Sequence, residues 1–314
     1  MKIVITRNIG CEYLDIIRKT EGVELFVSED QSEIVAQMAD ADILLWFWHK
    51  DHEVGEFFKH APRLKWIHSV STGVDQLLRY EIPPQVLLTR TATSQNIPIA
   101  EHCFALMLAL SRRINIILSN QRQRYWERMI GDELYEHTIV VVGTGNIGRE
   151  IMRRAAAFGM RVIGVDLKPP EDVHFDEFIP VDRLDEALGK ADYLVVCLPL
   201  TKQTKGLIGV EEFKKIKEGA TLINVSRGGI VSERAMIEAL KSKRLKAAAC
   251  DVFEIEPLPK DSELYSLDNV IISPHMAGLT PYMVKRAVLL FCENLERFIA
   301  GEPLLYQIDK SRGF

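Results

Sequence analysis

With 314 residues, 47% of them hydrophobic and 26% charged, the chain has material for two ordinary domains with cores of their own and is unlike a disordered polymer. Its net charge of −5 is spread without long single-sign blocks, which argues against a sequence-independent nucleic-acid binder but allows local basic pockets for phosphates or carboxylates. The longest uninterrupted apolar run, Cys103 to Leu110, is eight residues against the roughly 20 a spanning helix needs, and Met1 to Arg7 is too short for a secretory core, so a cytoplasmic protein with no membrane or nucleic-acid partner is expected.

From the N-terminus, short β-rich runs (Lys2 to Thr6, Val23 to Val27, Ile43 to Phe47, Leu64 to His68, Val86 to Thr89) alternate with helical spacing at Tyr13 to Arg18 and Ser32 to Met38, a βαβαβ pattern. At the end of the third run stands the cluster Trp46-Phe47-Trp48-His49. Alternation puts Trp46 and Trp48 on one face and Phe47 on the other, so Trp48 either joins the core or lines a substrate pocket at the strand end. From Pro98, placed where a proline suits the first helical turn, one long amphipathic helix is predicted to about Arg128. The alternation then restarts, with six strands predicted at Thr138 to Val142, Arg161 to Val165, Tyr193 to Cys197, Ala220 to Val225, Ala247 to Asp251 and Val270 to Ser273. A final helix, Pro281 to Ile299, is placed back on the first unit. The fold expected is α/β, two doubly wound parallel-sheet domains with a cleft between: residues 1–97 with 282–314, and residues 98–281.

Five cysteines (Cys11, Cys103, Cys197, Cys250, Cys292), odd in number and without CxxC spacing, suggest neither a disulfide framework nor a zinc site and read as buried thiols. No metal is expected. His52, His60, His68, His102, His137 and His174 show no paired spacing and read as structural.

The strand Ile139 to Val142 runs straight into Gly143-Thr144-Gly145-Asn146-Ile147-Gly148, and a helix is predicted to follow. In that context Gly143 allows a tight turn, Gly145 a close approach of backbone to a pyrophosphate, and Gly148 close helix–strand packing, with the helix N-terminus facing the anion. The next strand ends in Asp166, 18 residues after Gly148, placed to accept from a ribose 2′-hydroxyl and to repel a 2′-phosphate. NAD is the expected cofactor, with Lys168 the one feature that leans toward NADP.

Reducing a ketone by hydride needs a proton donor for the developing alkoxide and a cation to hold the substrate. Arg227 follows a strand in Asn224-Val225-Ser226-Arg227-Gly228-Gly229, Glu256 lies in Asp251-Val252-Phe253-Glu254-Ile255-Glu256-Pro257, and His275 lies in Ser273-Pro274-His275-Met276-Ala277-Gly278. All three fall past carboxyl ends of predicted strands, the edge where open α/β sheets bind ligands.

These pieces, with VSTGVDQLL at 70–78, AEHCFALMLALSRR at 100–113 and CLPLTKQTKGLIG at 197–209, resemble the D-isomer-specific 2-hydroxyacid dehydrogenases over nearly the whole chain. The resemblance implies a Rossmann NAD-binding domain beside a flavodoxin-like substrate domain, interconverting a D-2-hydroxy acid and its 2-keto acid, from glyoxylate or hydroxypyruvate to bulkier ones. It makes His275 the general acid and base, Glu256 its partner, and Arg227 the grip on the substrate carboxylate and carbonyl. It further implies that backbone amides around Ser71, Thr72 and Gly73 hold the carboxylate, that Asn146, Ile147, Cys197, Pro199, Thr204, Asp251 and Gly278 line the cofactor site, and that the protein is a homodimer joined through the helix after Pro98. A formate-dehydrogenase-like enzyme shares the architecture, but that resemblance calls for glutamine where Glu256 stands. Longer phosphoglycerate dehydrogenases carry an added regulatory domain, which the 39 residues after His275 do not accommodate. The alternative from another class is an NAD(H)-sensing, corepressor-like interaction protein, in which the Arg, Glu, His set would be superfluous.

Overall fold

The computed structural model describes residues 1–47 and 52–310, so Trp48, the pocket candidate, and His49 lie outside the described residues. The chain divides into two compact units, residues 1–95 with 280–314 and residues 96–279.

In the first unit, β1 (Lys2–Ile5), α1 (Cys11–Arg18), β2 (Glu24–Val27), α2 (Gln31–Met38), β3 (Ile43–Trp46), α3 (Val54–Lys59), β4 (Trp66–Ser69) and β5 (Leu87–Arg90) form a parallel sheet in the order β2-β1-β3-β4-β5. All four residues of β3 are buried, because a parallel strand covered on both faces needs apolar side chains at every position. One face, with Val4, Leu44, Trp46 and Ile67, packs on Ile34, Met38 and Phe57. The other, with Ile5, Leu45, Phe47 and Trp66, packs on Leu14 and Ile17 and on the C-terminal helix (Met283–Ala300) through Phe291 and Leu295. Trp66 stacks on Phe291 and Phe298, with centroids 5.1 and 5.5 Å away. Trp46 and Phe47 thus take opposite faces. Asp30 caps α2, its carboxylate accepting from the Ser32 and Glu33 amides. Helix α3 adds to the predicted elements; six residues are too few for helical periodicity to register.

The second unit holds α4 (Asn96–Ser111), α5 (Ile114–Arg122), β6 (Thr138–Val142), α6 (Asn146–Ala157), β7 (Arg161–Asp166), β8 (Glu177–Pro180), α7 (Leu184–Leu188), β9 (Tyr193–Val196), α8 (Val210–Lys215), β10 (Ala220–Asn224), α9 (Glu233–Lys241), β11 (Leu245–Cys250) and β12 (Val270–Ile272); the C-terminal helix of the first unit is α10. The sheet order is β12-β11-β10-β9-β6-β7-β8, all parallel.

Three expectations need correction. This sheet has seven strands, not six: β8 is an edge strand, half-buried along Glu-Phe-Ile-Pro, and edges lack the continuous apolar run that betrays a central strand. The long helix from Pro98 to about Arg128 is two helices bent by 66°, because Arg113 sits in the left-handed region (φ 56°), and the second ends at Arg122. Helix α4 buries Ala100, Cys103, Phe104 and Met107 and packs on α6, with Phe104 stacked on Phe158, whereas α5 buries nothing. A straight continuation therefore had no core to lie on. Among the described residues no single helix is long and apolar enough to cross a membrane. The cysteines are free thiols, but Cys11 is exposed and Cys197 and Cys292 half-buried, so only Cys103 and Cys250 match the buried reading.

Candidate active site

Because β10, β11 and β12 are neighbours in the sheet, the loops after them emerge side by side. Arg227 lies three residues past β10, Asp251 directly past β11 with Glu256 further along the same loop, and His275 three past β12. Gly228 makes the first two loops meet: a Cβ there would stand 1.8 Å from the Phe253 carbonyl oxygen, so no other residue allows this backbone approach. Within the second loop the Phe253 amide donates to Glu256 Oε1 at 2.9 Å, and Glu256 Oε2 lies 2.7 Å from His275 Nδ1. Both carboxylate oxygens are thereby fixed. Burial works to raise the Glu256 carboxyl, but the hydrogen bonds from His275 and Phe253 and the charges of His275 and Arg227 hold it below its ordinary value. Arg227 is half-buried and braces its own loop, Nη1 donating to the Ser226 carbonyl at 2.8 Å.

Asp251 is a nearly fully buried carboxylate, and it clasps the loop that carries His275. Its Oδ1 accepts from Ser273 Oγ at 2.5 Å and from the Met276 amide at 2.9 Å, and its Oδ2 from the Ala277 amide at 3.0 Å. His275 itself is left-handed, φ 53°, a conformation that costs a side-chain-bearing residue about 1 to 2 kcal/mol and persists where the surroundings impose it. His102, on α4, belongs to the same cluster, with Nε2 2.9 Å from Ser273 Oγ. The sequence reading treated it as structural, since nothing in Ala100-Glu101-His102-Cys103 points to a serine 171 positions later.

The glycine turn is built as its spacing predicts. Gly143 has φ 102° and a Cβ there would meet the Cys197 carbonyl oxygen at 2.8 Å; one on Gly148 would meet the Gly143 carbonyl oxygen at 1.9 Å. Gly145, the N-cap of α6, has open space around the position of a Cβ. A pyrophosphate fits there: the backbone is bare on its outer side and the first amides of a 12-residue helix are without intrahelical partners. Helix α6 starts at Asn146, so Asn146 and Ile147 are its half-buried first residues. Asp166 closes the turn, Oδ2 accepting from the Thr144 amide at 2.7 Å and hydroxyl at 3.1 Å, and Oδ1 from the Leu167 amide at 2.7 Å. Cys197 donates its thiol to the Gly143 carbonyl at 3.0 Å, and burial pushes that thiol up to about 12, so it stays protonated. Pro199 is exposed, and Thr204 Oγ1 donates to its carbonyl at 2.6 Å, which folds the 199–204 loop on itself. Gly278 is half-buried just past the Asp251 clasp.

In the first unit, Ser71, Thr72 and Gly73 are half-buried past β4. The Ser71 amide donates to Ser69 Oγ at 3.3 Å, and the Thr72 amide and hydroxyl both meet Gln95 Oε1, at 3.1 and 2.8 Å. Two of the three amides assigned to a substrate carboxylate therefore have intramolecular acceptors, and Gln95 is a residue the sequence reading passed over.

Residues 104–277 match the family model described as D-isomer specific 2-hydroxyacid dehydrogenase, NAD binding domain. A D-3-phosphoglycerate dehydrogenase of Methanocaldococcus jannaschii is 33% identical over 96% of this chain, and the chain spans 58% of that relative's length. A glyoxylate reductase of Korarchaeum cryptofilum is 31% identical over 96% of this chain and 93% of its own. The chain belongs to the D-isomer-specific 2-hydroxyacid dehydrogenase family. Among solved members, an NADPH-dependent glyoxylate/hydroxypyruvate reductase from Sinorhizobium meliloti, in complex with NADP and sulfate, superposes with a TM-score of 0.86 at 26% identity, covering 100% of this chain and 99% of its own. The two parallel α/β sheets, five- and seven-stranded, are the family's Rossmann-type architecture.

Proposed function

We propose that this chain reduces a small 2-keto acid to the D-2-hydroxy acid with NADH, and runs the reverse oxidation, using His275, Glu256 and Arg227. The observation that carries the reading is the 2.7 Å pairing of His275 with Glu256 within reach of the Arg227 charge, past three adjacent strands of the unit that holds the glycine turn. In this reading residues 96–279 hold the cofactor. When bound, the nicotinamide supplies the hydride in reduction and takes it in oxidation. Arg227 donates to the substrate carboxylate and C2 oxygen, drawing electron density toward that oxygen. His275, its Nδ1 held by Glu256, uses Nε2 to protonate the C2 oxygen in reduction and to remove the hydroxyl proton in oxidation. Glu256 fixes the ring's tautomer and stabilises the imidazolium.

Asp166 at the end of β7 favours NADH, since a carboxylate repels a 2′-phosphate. Glyoxylate- or hydroxypyruvate-sized acids are the first substrates to try, given the names of the relatives. The Cys103–Leu110 face is core rather than interface, with Cys103, Phe104, Leu106 and Met107 buried, so the homodimer contact shifts to α5 and the segment after it, where Leu118, Trp126 and Ile130 are 49, 91 and 89% exposed. Free thiols suit a reducing, cytoplasmic setting. The test is loss of NADH or NADPH absorbance across 2-keto acids from glyoxylate to phenylpyruvate, with His275→Ala and Arg227→Ala as controls. Turnover that both variants abolish supports the reading and ranks cofactor and substrate. Tight NADH binding without turnover of any keto acid overturns it in favour of a sensor.

A further inference from the structure

The buried Asp251 carboxylate grips three donors of the loop that holds His275, and a fourth group stands behind it. Ser273 has a single hydroxyl proton, and at 2.5 Å it goes to Asp251 Oδ1. His102 Nε2, 2.9 Å from the same oxygen, must then be the donor to it, which fixes His102 as the tautomer, or the imidazolium, with a proton on Nε2. His102 Nε2 is also 3.7 Å from Asp251 Oδ1, so a chain of donors runs His102 to Ser273 to Asp251. From Asp251 the same carboxylate reaches the amides of Met276 and Ala277, the two residues that follow left-handed His275.

We propose that His102 is a positioning residue: from α4 it orders the Ser273 hydroxyl and the Asp251 carboxylate, and through them holds the strained His275 backbone where its ring meets Glu256. Ser273 is 5% and Asp251 2% exposed, so the pair is shielded from bulk water, and an apolar side chain filling the place of His102 leaves the Ser273 oxygen short of a donor. Without that donor the Ser273 hydroxyl is no longer oriented toward Asp251, the carboxylate loses part of its hold on the loop, and the loop relaxes from the left-handed turn. His102 does not touch the reacting atoms; it acts on rate through geometry, where displacements on the order of 1 Å are worth up to a hundredfold.

The inference rests on the dehydrogenase reading for its kinetic arm only. That arm compares wild type with His102→Leu, Ser273→Ala and His102→Gln, the last keeping an N–H donor of similar reach. His102→Leu and Ser273→Ala should each lower kcat about tenfold with KM for NADH and keto acid within about twofold, the double variant should add no further loss, and His102→Gln should recover most of kcat. The second arm needs no turnover: amide hydrogen exchange on the protein without substrate. In His102→Leu and Ser273→Ala the Met276 and Ala277 amides should exchange about tenfold or more faster while β6 and β9 keep wild-type protection. Unchanged exchange at these two amides, or a kcat loss that His102→Gln does not recover, overturns the proposal. Absence of any keto-acid turnover in wild type would instead sink the dehydrogenase reading, and the exchange experiment would still decide the role of His102.

Discussion

Two histidines, His68 on β4 and His275 past β12, differ in how many of their ring nitrogens the surroundings hold. His68 is fully buried. Trp66 Nε1 donates to Thr89 Oγ1 at 2.8 Å, Thr89 Oγ1 lies 2.7 Å from His68 Nδ1, His68 Nε2 lies 2.9 Å from Thr91 Oγ1, and Thr91 Oγ1 donates to the Ser69 carbonyl at 3.3 Å. The chain closes only if Nδ1 accepts and Nε2–H donates, so every proton is committed and the ring is neutral. Desolvation pulls its pKa down to about 3. His275 is about half exposed, paired with a carboxylate on one nitrogen. One ring has both nitrogens committed, the other has one nitrogen on a carboxylate, which is the arrangement the proposed acid–base role requires.

The largest effect expected is on chemistry. His275→Ala should lower kcat by about 10² to 10⁴-fold, whereas His68→Gln should leave it within about threefold. Steady-state keto-acid reduction measures both; equal losses would erase the distinction between the two regions.

The comparison sharpens with pH. An unfolded His68 titrates near its ordinary value of 6.5 while the folded ring resists protonation to about 3, so between those values the unfolded chain binds the extra proton. Stability is full above about pH 6.5 and falls as pH drops, by about 3 kcal/mol at pH 4 from this residue. Denaturant melts at pH 7 and pH 4 should show that loss, and His68→Gln should remove most of the difference between them.

A third change strikes the site through its scaffold. Gly228→Ala puts a methyl against the Phe253 carbonyl, so it should cost about 1 to 3 kcal/mol of stability and also lower kcat, because the Arg227 and Glu256 loops must separate. Thermal melts and kinetics on one preparation test the pair; a stable, fully active variant would show that the loop contact is dispensable. The smallest effect expected is at the glycine turn, where Asp166→Ser should move the NADH over NADPH preference by about tenfold, equivalent to about 1.4 kcal/mol. The ratio of kcat/KM for the two cofactors reads it.

How much of this was legible in the sequence follows from the range of each signal. Strands β3, β6 and β10 announce themselves because central parallel strands are buried on both faces and carry nearly continuous apolar runs. Strand β8 does not, being a half-buried edge, and neither does the bend at Arg113, where two arginines fit a helix locally and the buried face simply ends. At the candidate site, the placement of Arg227, Glu256 and His275 was legible because each follows a strand in a recognisable motif. His102 and Gln95 were not, because their partners, Ser273 and Thr72, are remote in sequence and no local pattern marks such a pair.

The sequence by itself therefore determined the two runs of α/β alternation and the strand, glycine turn and helix from 138 to 157 with Asp166 beyond it. These rest on side-chain period and turn stereochemistry, which act over a few residues. Only the tertiary structure decided that β10, β11 and β12 lie side by side, that the Gly228 and Phe253 backbones touch, and that His102 stands behind Ser273 while His68 is sealed between threonines. Those follow from strand order and helix packing, in which residues far apart in the chain compete for the same buried space, and a short window of sequence carries no record of which pairing wins.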